Sequence, residues 1–114
     1  MSFFDSEVVQ SEMTEISSLQ EEVYHNVFEF PKMTTEDKIK HVDLLELLLK
    51  KQQVLYTRLS LSDDPEAIEM KKRILESASG MGFPSDIDIG IVFNNMSKLL
   101  KTMRERIDTT GSDM

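Results

Sequence analysis

HVDLLELLLKKQQVLYTRL, residues 41–59, is the stretch that decides the fold. Its apolar side chains recur at spacings of three and four, the period of an α-helix and not the alternation of a strand. Val42, Leu45, Leu49 and Tyr56 mark one stripe, Leu44, Leu48 and Leu55 a second beside it, and Leu47 and Val54 widen the set again. Together they cover well over half of the helical circumference, where a helix packed on one side needs an apolar arc of about 100°. Such a helix is either the central member of its fold or half of an oligomer interface. Thr34 or Thr35 caps its start, and Glu36 and Asp37 follow in the first turn, where the helix dipole favours acids.

Working outward, three more segments carry the same period. Upstream, Val9, Met13, Ile16, Val23, Val27 and Phe30 recur at alternating fours and threes, with Gln20 filling the gap. Asp5 or Ser6 caps this first helix, Phe3 and Phe4 read as a staple folded back on its first turns, and Pro31 ends it. Downstream, Asp63 or Asp64 caps a third helix that has Pro65 in its first turn. Its apolar face is Ile68, Ile74, Leu75 and Ala78, and Gly80 is the expected stop. GMGFPSD is a loop whose Met81 and Phe83 are expected to pack down as plugs, and Asp86 or Asp88 caps a last helix. That helix has the stripe Ile89, Val92, Met96, Leu99, Met103 and Ile107, with Met13, Met96 and Met103 expected in the core. No segment alternates as a strand does. The expected fold is all-α, an antiparallel bundle of about four helices in one domain over residues 1–108, with a flexible tail at 109–114.

The totals narrow the function. A chain of 114 residues that is 39% hydrophobic and 30% charged has the balance of a folded globular domain. It has no cysteine, which removes disulfides and thiolate metal sites. MSFFDSEVVQ has no basic start and no apolar run, and Leu44–Leu49 is too short for a bilayer, which needs about 20 residues. A cytoplasmic protein without a membrane span is the expectation. The net charge of −8 is uneven: residues 1–37 hold nine acids against Lys32 alone, and the remainder is balanced. That acidic first segment repels phosphate backbones, so nucleic acid is not the expected partner.

Chemistry-bearing patterns are sparse. Glu22 and His25 have the Glu-x-x-His spacing of helical di-iron sites, but the motif occurs once and such sites use it twice. No serine sits in a glycine-rich elbow, and no glycine loop could cradle a phosphate. The reading is therefore of no catalytic residue, no metal and no cofactor. Lys98, Lys101, Arg104 and Arg106 suit the carbonyl end of the last helix, and they also form a weak candidate strip for nucleic acid.

The opening MSFFDSEVVQ, the turn LYTRLSLSDDPEA and the ending GFPSDIDIGIVFNNMSKLLKTM resemble a family of small proteins from cyanobacteria and their T4-like phages, a domain of unknown function. FFDSE and LSLSDDPEA are the most specific pieces, and the likeness spans nearly the whole chain. It implies a compact helical protein of phage or cyanobacterial cytosol, closer to the phage branch. It implies no activity and transfers no functional residue.

The expected function is thus a non-enzymatic interaction or adaptor protein, acting on host machinery or in virion assembly. It is expected to form a homo-oligomer through the second helix. Candidate contact residues are Leu44, Leu47, Leu48, Val54 and Leu55 on that helix, with Glu12, Glu15, Glu21 and Glu22 on the first. The alternative is a nucleic-acid- or transcription-associated accessory protein using Lys98, Lys101 and Arg104.

Overall fold

The structure, a computed structural model, describes the backbone of residues 2–84 and 86–112 and the side chains of residues 2–84 and 86–108. Four helices form, α1 (Glu7–Val27), α2 (Thr35–Leu61), α3 (Pro65–Gly80) and α4 (Ile89–Ser112), and there is no strand among the described residues. Short 3₁₀ turns at Phe3–Asp5 and Phe30–Lys32 precede α1 and α2. The tail expected at 109–114 falls on residues whose side chains, and for 113–114 whose backbone, lie outside the described residues.

Local chemistry sets the starts. The Ser6 hydroxyl accepts from the Val9 N–H, and the Thr34 hydroxyl from the Asp37 N–H. The Asp64 carboxylate accepts from the Glu66 N–H at 3.0 Å, and that of Asp88 from the Gly90 N–H at 2.8 Å. Each satisfies an amide that the first helical turn leaves unpaired. Pro31 sits inside the second 3₁₀ turn, and α1 ends earlier, at Val27.

The stop of α3 corrects one expectation. Gly80 is still helical, and the residue with positive φ is Gly82, at 101°. Gly82 N–H donates to the Ser79 carbonyl and Phe83 N–H to the Ala78 carbonyl, the double closure that uses a left-handed residue just past a helix end. Met81 and Phe83 do not plug the core, since both are exposed, Met81 at 75%. The closure turns these two side chains outward.

α2 is the central member, packed against α4, α1 and α3, while α1 and α4 pack chiefly on α2 and hardly on each other. Val42, wholly buried, is the centre of the core, with Leu48, Leu49, Leu59 and His41 also buried on α2. Val9 and Ile16 come from α1, Ala67 and Ala78 from α3, and Ile89 from α4. Met13 and Met96 are exposed and Met103 half-buried, so the methionine stripes flank the core instead of filling it. Because α2 is flanked and not surrounded, the molecule is elongated. It measures 55 × 32 × 20 Å, with a radius of gyration of 16.6 Å against about 13 Å for a compact chain of this length.

Asp64 joins two parts of the chain. One oxygen caps α3, and the other accepts from the Phe3 N–H, which ties the N-terminal turn to the α2–α3 connection. Phe3 and Phe4 are thereby held against α3 as well as α1, where a simple staple would touch α1 alone. Asp64→Ala removes both bonds and is expected to cost about 1–2 kcal/mol. Thermal unfolding checks this: the midpoint should fall, and Asp64→Asn, whose single oxygen can still cap α3 but whose amide nitrogen cannot accept from the Phe3 N–H, should recover only part of the loss.

His41 sets a pH dependence. Its ring lies 5.4 Å from that of Phe30, and burial pushes its imidazole below the ordinary value of 6.5. As pH falls past 6.5 the unfolded chain takes up a proton that folded His41 resists, so stability declines and levels off below the folded value. His41 Nδ1 meets no hydrogen-bond partner among the described residues, so His41→Phe sacrifices no bond at that atom. Melting midpoints at pH 7.5 and 5.5 should differ less in His41→Phe than in the native chain.

Candidate functional site

Three surfaces combine exposure with distinctive chemistry, and α2 contributes to two of them. Leu47, Val54 and Leu61 recur at seven-residue spacing and are 45%, 42% and 78% exposed. Seven residues bring a helix back to nearly the same face, so the three form one stripe about 21 Å long, opposite Val42 and Leu49. A seam along which another helix packs has apolar residues at two positions of each heptad, and this stripe supplies one of the two, with Lys51 and Arg58 beside it. Its border is partly neutralised, because Lys51 pairs with Glu15 of α1 and Arg58 with Glu12 at 2.8 Å.

The expected contact residues thus divide. Leu47 and Val54 lie on the open stripe, Leu44 and Leu55 are half-buried, and Leu48 belongs to the core, where no partner reaches it. Leu61, the last residue of α2, completes the stripe. Continuing the same spacing from Leu47 and Val54 would have found it.

The acids of α1 divide as well. Glu12 and Glu15 are engaged with α2, whereas Glu21 and Glu22 are exposed and unpaired among the described residues. Near them, Tyr24 and Phe28 are also exposed, their rings edge to face at 6.4 Å. The end of α1 is therefore an acidic and aromatic surface, and its aromatic part was missed because both rings fall outside the apolar stripe. His25 is exposed beside them, and no group of three or more His, Asp or Glu among the described residues could hold a metal ion.

The basic strip changes most. The Arg104 guanidinium grips Glu46 with Nε at 3.3 Å and Nη2 at 3.0 Å, and Nη2 also bonds Asp43. Those hydrogen bonds, to Asp43 first and Glu46 second, hold its pKa above the ordinary value. Arg104 therefore ties α4 to α2 and is not open to a phosphate. Lys98 and Lys101 carry no ion pair among the described residues, and with Lys50 of α2 they line a cleft of about 500 Å³.

A second cavity, of about 460 Å³, opens among the N-terminal turn, α1, α2, α3 and the start of α4. Phe3 and Phe4, Ile16, Leu59, Ile74 and Phe93 represent its walls, one element after another. Tyr56 also lines it, 6.0 Å from the Phe93 ring. Burial, and secondarily the charge of Asp88, pushes the Tyr56 phenol above 10.0 and keeps it a neutral hydroxyl.

These features define a small all-α bundle whose chemistry lies in surfaces between and along helices. The chain belongs to the family described as a domain of unknown function, DUF1825, which it matches over residues 1–107. No curated protein and no solved structure matches it. No helix among the described residues is long and apolar enough to cross a membrane.

Proposed function

We propose that this is a non-enzymatic interaction protein that pairs with a second copy of itself along the outer stripe of α2. The observation that carries the reading is the seven-residue repeat of exposed Leu47, Val54 and Leu61. The available area supports it. The chain exposes 8218 Å², roughly 1,800 Å² more than the ~6,400 Å² of a compact monomer of its mass, and a standard interface takes about 800 Å² per partner. Two differently tagged copies expressed together test the pairing. Recovery of both on either affinity resin is expected, and recovery of the tagged copy alone overturns it.

The pair presents the acidic and aromatic end of α1 to a further protein of basic chemistry, since exposed aromatic rings suit the anchoring positions of interfaces. The resemblance to proteins of cyanobacteria and their T4-like phages supports a reading in which such a partner belongs to host machinery or to the virion and the protein acts in the cytoplasm. A second reading draws on the cleft of Lys50, Lys98 and Lys101, three ammonium groups without an ion pair among the described residues that could follow a nucleic-acid backbone, although Glu46 also lines the cleft. Salt-sensitive retention on DNA or RNA, lost when these lysines become alanine, would support it; no retention at low salt removes it.

A further inference from the structure

We propose that the open cavity lined by Phe3, Phe4, Ile16, Leu59, Ile74 and Phe93 binds an uncharged, largely apolar small molecule bearing a hydrogen-bonding group. This does not rest on the pairing of copies, because the cavity and the outer stripe of α2 share no residue. Its shape is that of a ligand site. The stripe is a convex ridge that suits a helix, whereas five elements wall the cavity. At about 460 Å³ it falls within the range of small-molecule pockets, roughly 300–1,000 Å³. An apolar cavity of about 150 Å³ takes one benzene, so this volume suits a body of two or three fused rings or its aliphatic equivalent.

The lining sets the ligand class. Although 30% of the chain is charged, no charged side chain among the described residues lines this cavity. An ionised ligand would lose its hydration against walls that carry no charge of their own, and an anion would also be repelled by Asp88, whose charge reaches Tyr56. The polar groups available are the hydroxyls of Ser17 and Tyr56 and the amides of Gln20 and Gln52. Each can donate to or accept from a neutral hydroxyl, carbonyl or amide. Tyr56 stacks beside Phe93 while its hydroxyl stays protonated, so one wall offers both an apolar face and a neutral donor. The N-terminal turn acts as a wall and not a plug, because Asp64 holds Phe3 by its backbone and the Phe3 and Phe4 rings sit edge to face at 5.1 Å.

Titration with Nile red, an uncharged apolar fluorophore of suitable bulk, tests the proposal on the full chain. Saturable binding of one dye per chain with blue-shifted emission is expected. Ile74→Trp on α3 should fill the space and weaken binding by at least about tenfold while helical circular dichroism is retained. Met13→Trp on the α1 wall gives the same reading should Ile74→Trp lose its helices, because Met13 is exposed enough to accept a larger ring. Val54→Glu on the outer stripe should leave dye binding unchanged, and loss of binding there would place the dye at the seam and overturn the proposal. No saturable binding, or equal binding in both tryptophan variants, also overturns it. So does tighter binding of the anionic dye 1-anilinonaphthalene-8-sulfonate, which contradicts the uncharged class.

Discussion

Val42→Asp is expected to abolish the folded state, whereas Leu47→Asp, five residues along the same helix, should leave the helical signal intact. Val42 is wholly buried where α2 meets its neighbours, with Leu48, Leu49 and His41 buried on the same helix. Among the described residues no Lys or Arg is buried, and burial disfavours the charged form of His41, so a carboxylate there would lose its hydration without a ready counter-ion. The cost, about 4 kcal/mol or more, is a large part of the 5–15 kcal/mol by which a domain of this size is stable. Leu47 is 45% exposed, and a carboxylate there keeps its water. Far-UV circular dichroism and thermal melts of the two variants decide the matter. Loss of helix in both, or in neither, would mean that α2 does not have one inner and one outer face.

Val54→Glu is expected to abolish the proposed pairing of copies and leave each chain folded. Val54 is the middle member of the stripe, flanked seven residues away on either side by Leu47 and Leu61. In a symmetric pair each substitution counts twice, so two apolar contacts are lost and two carboxylates enter one seam. Association should weaken at least about a hundredfold, equivalent to about 2.7 kcal/mol. The Glu15–Lys51 and Glu12–Arg58 pairs along the border stay in place, so the change acts on the seam and not on the packing of α1 on α2. Sedimentation velocity over a dilution series measures the shift. An unchanged profile would move the interface elsewhere on the molecule.

Much of the fold was legible because its rules are local. Ser6, Thr34, Asp64 and Asp88 act as caps where their residue types and positions placed them. The excess of apolar residues on α2 left two readings open, a central helix or half of an oligomer interface, and the packing of α1, α3 and α4 on it bears out the first. What periodicity could not tell was which neighbour takes which stripe. Leu48 and Leu47 are adjacent in an over-wide apolar set, and only the positions of α1 and α4 make one core and the other surface. Met13 and Met96 share the spacing of buried residues, but α1 and α4 hardly meet, so both side chains stay exposed. Between Gly80 and Gly82 the choice depends on backbone φ, which composition does not encode.

The surfaces were less legible than the fold, for the reason that charges are read singly and act in pairs. Glu12 and Glu15 looked like part of one free acidic face with Glu21 and Glu22 until their partners, 46 and 36 residues away, came beside them. Arg104 looked like part of a basic strip until Asp43 and Glu46 closed on it. The cavity gave no signal at all, since its lining gathers residues from both ends of the chain.

In the proposed pair, α2 builds the fold with one side and meets a second copy with the other. Light scattering on the purified chain at micromolar concentration tests it directly, because the chain mass is 13.1 kDa. A molar mass of twice that value, reverting to the single-chain value in Val54→Glu, is the predicted result. A native chain that remains at the single-chain mass at every concentration contradicts it.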